Sequence, residues 1–305
     1  TAPAFAGRID WESGPVGVGL VVRARRDDTD LDQGGFAGGD DPNFIGEAEE
    51  DLARLEARGR FLDGRWRPTV AVGVARHDRL TRDAPDDARP LDRSTGEFRG
   101  RRTRLEWVNR IDLAAGRTTA GVETEEQRAS STFESEGEFG PFASALPEVE
   151  ARTTGAFLQH EADFGDRLRI AVGGRLDDHD RFGSAGTWRV TGSLDLGEKT
   201  RLRGSHGTGF QAPTLFQLFD PEFGNEELDP ERSRGWDVGL ERELGTDRAR
   251  ISATWFSTRF EESIAFEFPD GYRNMGRSSA RGLEAAGDLV PLDHVPPRFD
   301  VVGPA

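Results

Sequence analysis

The sequence predicts an all-β fold, an antiparallel up-and-down transmembrane β-barrel. Two observations carry that reading: a two-residue apolar rhythm along most of the chain, and an alternation of short and long connections between the segments that show it. In a strand successive side chains point to opposite faces, so such a rhythm gives one apolar face and one wet face. Leu168, Ile170, Val172, Gly174 and Leu176 form one row, and Arg169, Ala171, Gly173, Arg175 and Asp177 form the other. A barrel in a membrane with a polar lumen requires that division.

Taken in order, the strand centres fall near Ile9, Leu20, Leu55, Val72, Trp107, Val122, Leu158, Val172, Val190, Leu202, Val238, Thr254 and Leu283. The rows are clearest in Val16/Val18/Leu20/Val22, Leu105/Trp107/Ile111/Leu113, Trp188/Val190/Leu194/Leu196, Trp236/Val238/Leu240 and Ile251/Ala253/Trp255. Short connections read as hairpin turns at Leu62-Asp63-Gly64-Arg65, Ala115-Gly116-Arg117, Phe164-Gly165-Asp166, Gly197-Glu198-Lys199 and Gly245-Thr246-Asp247. Gly supplies positive φ there and Asp bonds its own backbone. Between them, 27–51, 77–102, 127–153, 178–186 and 209–232 read as long polar loops. Antiparallel strands exit on opposite ends, so all short turns share one rim and all long loops the other, as in outer-membrane barrels.

Composition fits this reading. Of 305 residues, 35% are hydrophobic and 31% charged, which on averages alone would suit a soluble chain. A barrel escapes that test because half of each strand is polar. No run is long and apolar enough for a membrane helix. The net charge of −16 argues against nucleic acid, and the absence of cysteine excludes disulfides and thiolate metal sites. From Thr1 the sequence shows no charged n-region and apolar h-region, so it reads as a mature start or as a piece of something longer.

Face assignment follows from energetics. Trp11, Trp66, Trp107, Trp188, Trp236 and Trp255 belong to apolar rows or strand ends, where an interfacial girdle would use them. Tyr272 is the single tyrosine, and twenty Phe supply the remaining aromatic character. Opposite rows carry Arg104, Glu106, Arg110, Asp112, Glu123, Glu125, Glu161, Asp163, Arg189 and Asp195. An Arg facing lipid at the midplane costs about 2–4 kcal/mol, whereas facing a wet lumen it costs little.

Few residues bear chemistry. His77, His160, His179, His206 and His294 are scattered without metal-ligand spacing. No nucleophile elbow or phosphate loop is present; 204–209 is Gly-rich but leads into Gln211-Ala212-Pro213, read as no helix start. The chain is read as no enzyme and as needing no cofactor. Asp27, Asp28, Asp30, Asp32, Asp40 and Asp41 crowd one Gly-rich loop that could wrap calcium, or be a solvated acidic loop.

One stretch is distinctive: GTGFQAPTLFQLFDPEFGNEELDPERSRGWDVGLE, residues 207–241. Phe210, Ala212, Pro213 and Thr214 form its first part. Gly224-Asn225, Leu228, Pro230, Glu231 and Ser233 form its second, and Gly239 and Glu241 follow. It resembles the barrel signature of TonB-dependent outer-membrane receptors. The run 174–183, and Tyr272, Asn274, Gly276, Ala280, Gly282 and Glu284, resemble flanking segments of that family. Pro213 and Pro230 cannot donate ladder bonds, so they mark where pairing stops and restarts. Gly224-Asn225 reads as a turn needing positive φ. The signature residues are read as shaping the barrel rim, with substrate-binding residues unassigned.

The resemblance implies active import of a scarce chelate, cobalamin or a ferric siderophore, across the outer membrane. It implies outer-membrane lipid as surroundings and a TonB energy-coupling protein engaged through a plug domain. Neither plug nor TonB-contacting segment is found, and thirteen strands stand against the roughly twenty-two of such transporters. Residues 1–289 are therefore read as a barrel segment and 290–305 as an irregular tail. A passive porin-type barrel and a soluble β-rich binding protein stay open as alternatives. Ligand choice is assigned to the long loops and lumen rows, whose acidity favours a neutral, cationic or calcium-bound ligand.

Overall fold

The computed structural model describes residues 3–32, 41, 43–87, 90–138, 140–245 and 249–289. The strands are β1 (Ala4–Ser13), β2 (Val16–Asp30), β3 (Ile45–Gly59), β4 (Trp66–Asp83), β5 (Arg93–Leu113), β6 (Gly116–Gly137) and β7 (Gly140–Phe164). They continue as β8 (Leu168–His179), β9 (Gly183–Gly197), β10 (Thr200–Gln211), β11 (Glu231–Leu244), β12 (Ala249–Glu261) and β15 (Arg277–Leu289). These thirteen form one antiparallel sheet in chain order, an open barrel whose described edges are β1 and β15. A small hairpin, β13 (Ile264–Glu267) with β14 (Gly271–Asn274), interrupts the step from β12 to β15, and one helix, α1 (Leu215–Phe219), lies between β10 and β11. Each predicted strand centre falls in its own strand of the large sheet.

Register divides the two faces. Ile9 pairs with Leu20, Leu20 with Leu55, Leu55 with Val72 and Val72 with Leu105, one apolar row across five strands. One residue away, Asp10, Gly19, Glu56, Ala71, Glu106, Glu123, Gly155 and Asp177 align across eight. Glu123 and Asp177 side chains are only 13% and 12% accessible, while Leu176 is 57% exposed. The charged face is thus the concave, inner one, and the apolar face is the convex, outer one. All six Trp fall on the outer face by this alternation.

Loop lengths differ from expectation on one rim. The segment 127–153, read as a loop, is mostly ladder: β6 and β7 run on for 22 and 25 residues and meet at a tight turn. β4 and β5 likewise extend through much of 77–102, and β8 and β9 through much of 178–186. About 9–11 residues cross a bilayer, so β4 to β7, at 18 to 25 residues, project well beyond one. There the outer face is polar and the inner face carries only scattered apolar residues such as Phe98, Phe133 and Leu146, so the apolar outer row that marks a strand in the bilayer ends. The short-turn rim stands as read at its described turns; Thr246 and Asp247 of the last one lie outside the described residues. At one of its turns Leu62, Asp63 and Gly64 all take positive φ (53°, 55° and 83°), with Phe61 and Trp66 bridged across it.

Candidate functional site

The inner wall is built on small residues beneath large charged ones. Arg175 of β8 lies across Gly155 of β7, reaching Glu123 at 2.6 Å and Asp177 at 2.8 Å. A Cβ at Gly155 would collide with that guanidinium and carboxylate. The Phe157 ring, 6.0 Å from the Arg175 guanidinium, occupies the space left by Gly121. Arg104 pairs with Glu123 at 3.1 Å, Arg54 with Glu106, and Arg58 with Asp10. Glu106 and Glu123 face each other across β5 and β6, an unfavourable pairing that Arg54, Arg104 and Arg175 offset. Sequence reading placed Glu106, Glu123 and Arg104 on this wall; it missed Gly155 and Gly121, whose signal was only their place opposite long charged or aromatic neighbours.

Above this wall, a cavity of about 480 Å³ opens between the sheet and the start of α1. Arg23, Leu52, Phe98 and Gln127 lie on the sheet side, and Leu215 and Phe216 on the other. His77 approaches Glu50 at 3.3 Å at its border, and Arg102 approaches Glu125 at 3.4 Å. Apolar surface flanked by guanidinium and amide donors suits a ligand with an oxygen-rich polar part and an apolar body.

The signature residues converge on the rim beside that cavity. Thr214 caps α1: its hydroxyl accepts the Gln217 amide at 3.2 Å while the Gln217 side chain accepts the Thr214 amide at 2.9 Å, a capping box. The sequence reading of no helix start after Pro213 is therefore corrected by one turn of helix, whose cue was Thr214 three residues before Gln217. Leu215 and Leu218 of α1 are buried, as is Leu228. Gly224 does not take positive φ, contrary to expectation; it is glycine because a Cβ would meet the Asp220 backbone oxygen at 2.5 Å. Asn225 donates to the Tyr272 carbonyl at 3.0 Å, and the Glu231 carboxylate accepts the Ile264 amide at 2.7 Å. Phe210 packs its ring 5.9 Å from the Arg232 guanidinium, and Ser233 lies against Gly209. β10 ends before Ala212 and Pro213, and β11 begins after Pro230.

Two further findings complete this knot. Tyr272 and Asn274, read as part of a strand with Ala280, Gly282 and Glu284, belong to the separate hairpin β13–β14; Gly276, at φ 74°, breaks the chain between them. Asn274 bonds Asp229 through both backbone groups, and Phe223, Phe266 and Tyr272 stack edge to face at 5.2 and 5.3 Å. Arg181, from the β8–β9 turn, reaches the Glu226 carbonyl at 2.7 Å and covers the Phe219 ring at 5.1 Å. Burial lowers the pKa of His179 at the end of β8, whose Nδ1 accepts the Arg181 amide at 3.1 Å. On the projecting ladder, a hydrogen bond from Arg152, helped by Arg128, holds Glu126 below the usual carboxylate range.

The acidic segment does not form the predicted loop throughout. Asp27, Asp28 and Asp30 belong to β2, where Asp27 faces one side and Asp28 and Asp30 the other. Strand alternation prevents the three from converging on one ion. Asp27 pairs instead with Arg25 at 2.6 Å. Asp32 follows the strand, Asp41 is buried, and Asp40 lies outside the described residues. Among the described residues no cluster of three or more His, Asp or Glu is placed to hold a metal ion.

An antiparallel meander with an apolar outer face, a charged inner face and a rim knot defines the wall of a receptor-type β-barrel. Residues 5–302 match the family described as TonB dependent receptor-like, beta-barrel, and the chain belongs to that family. Members of this family are transporters of the bacterial outer membrane, not enzymes. Similar solved structures include the copper transporter OprC (TM-score 0.75, 14% identity, 95% of this chain and 50% of that one). Others are the siderophore receptor PirA from Acinetobacter baumannii (0.66, 15%, 94% and 50%) and the alcaligin outer-membrane receptor FauA from Bordetella pertussis (0.65, 16%, 95% and 50%). The chain spans about half the length of these receptors.

Proposed function

We propose that this chain forms part of the wall of an outer-membrane importer that takes up a scarce metal chelate, foremost a ferric siderophore. In this reading the apolar face lies against lipid and the charged face lines the lumen. Uptake is driven by a TonB energy-coupling protein acting through a plug domain of the parent protein. The observation that carries it is the eight-strand inner row from Asp10 to Asp177, in strict register beside a continuous apolar outer row. Charges placed outward would cost about 2–4 kcal/mol for each Arg at the midplane, so this division of faces is what a lipid-embedded wall needs. The similar PirA structures are named siderophore receptors, which favours iron chelates over cobalamin as cargo.

Deleting the parent gene in its native host tests the cargo. Growth on a ferric siderophore as sole iron source is expected to fail while growth on free iron persists. Cobalamin-dependent growth, measured in parallel, separates the second cargo. Unchanged uptake of every such chelate, with no other receptor induced, would remove the import reading.

A further inference from the structure

The outer face carries an arginine cluster at the upper border of the apolar band. β11 and β12 place Arg234 and Arg259 as direct partners, with Trp236 beside Ser257 one step below. Arg232 stands above Arg234 on the same face, and Arg281 of β15 pairs with Ser257. Among the described residues, Arg232, Arg234, Arg259 and Arg281 enter no ion pair within 4.0 Å; the one carboxylate here, Glu261, stands opposite Arg232 and 4.0 Å from Arg277, leaving the Arg234–Arg259 pair without an acid. Like charges directly opposite one another destabilise a ladder unless something neutralises them. In another outer row, Asp51, Arg76, Arg101, Arg128 and Glu150, an acid stands at each end of the three arginines, and Arg128 pairs with Glu150 at 3.2 Å.

The cluster borders a cavity of about 570 Å³ whose other walls are Trp188, His206, Thr208 and Phe210. The Trp188 and His206 rings meet edge to face at 5.0 Å, giving a firm aromatic base. Below it run Val238, Trp255 and Leu283, all exposed. The place thus has guanidinium donors at its top, aromatic surface in its middle and aliphatic surface beneath. That is the polarity profile of a lipid with its anionic head upward, and guanidinium forks match phosphate oxygens in pairs. We propose that this outer-face groove binds a phosphate-bearing lipid headgroup of the surrounding membrane, with Arg234 and Arg259 as the principal ligands. The inference rests on the outer face being lipid-facing.

The test uses the full-length parent protein in vesicles of phosphatidylcholine containing brominated phosphatidylglycerol or, in parallel, brominated phosphatidylcholine, with tryptophan quenching as readout. Wild type is expected to prefer the anionic lipid, and R234Q/R259Q to lose about fivefold of that preference per arginine removed. R203Q, on the inner face of the neighbouring strand, keeps the preference, and heat-modifiable gel mobility verifies folding of all variants. Equal preference in wild type and R234Q/R259Q, or equal loss in R203Q, would overturn the site. Quenching by neither lipid would overturn the lipid-facing assignment itself, a result distinguishable from equal quenching by both.

Discussion

β5–β7 and β8–β10 solve the same problem in different ways. The first group consists of strands of 21 to 25 residues that extend past the apolar band as bare ladder, whereas the second stops after 12 to 15. On the long strands, cross-strand ion pairs such as Arg152–Glu126 at 2.7 Å and Arg128–Glu150 at 3.2 Å coat the outer face. Beside the short strands, the rim is held by a knot with buried leucines, a capping box and stacked aromatics. Exposed ion pairs contribute little each, while buried apolar side chains contribute much. Rim stability is therefore concentrated in the knot and spread thin over the ladder.

The largest expected effect tests that concentration. Leu228→Ala should cost about 2–5 kcal/mol locally, because its side chain is buried and its removal leaves a cavity. Hydrogen exchange across 215–228 in the full-length protein should accelerate, while exchange in β6 stays unchanged. Acceleration spread evenly over both regions would erase the contrast. Next in size, Val238→Arg should cost about 2–4 kcal/mol and impair barrel assembly, whereas Asp237→Arg on the inner face should be milder. Yield of heat-modifiable protein in the outer membrane measures both, and equal losses would contradict the face assignment.

On the ladder, Glu126→Gln should have a smaller effect than either, confined to faster exchange near the β6–β7 turn and reduced further at high salt. The smallest effect concerns His179. Above pH 6.5 its imidazole is neutral in both folded and opened forms, so it contributes no pH dependence there. Below 6.5 the opened form gains a proton that burial disfavours in the folded form, so local stability falls with pH until the lowered folded pKa is passed. Exchange at the Arg181 amide, corrected for intrinsic rates, should show this dependence, and His179→Gln should remove it.

The same contrast explains what the sequence made legible. Strand centres were readable wherever one face was apolar, as in the row from Leu168 to Leu176, because burial imposes a two-residue period. The ladder ends were not, because at Arg128 and Glu150 the outer face is charged and no lipid imposes a continuous apolar row. Within the knot, Pro213 and Pro230 marked the strand limits through their missing amide hydrogen. The long-range partners of Asn225, Glu231 and Asn274 left no local trace, since their hydrogen bonds join segments 33 to 47 residues apart.

Chain-order pairing also bears on how the wall is assembled. Each strand from β2 to β12 adds to the edge left by its predecessor, so every addition closes only the connection just before it. Those connections range from two residues (14–15) to nineteen (212–230). At about 0.6 kcal/mol per doubling, the longest closure costs roughly 2 kcal/mol more than the shortest. That costliest step is the one spanned by the signature. Inside it, Gly224 donates to Asp220 at 2.9 Å and Asn225 to Gln217 at 2.8 Å, local bonds that draw the two strand ends together before they pair. The motif that marks the family in sequence thus sits where a growing sheet most needs its own chain prefolded.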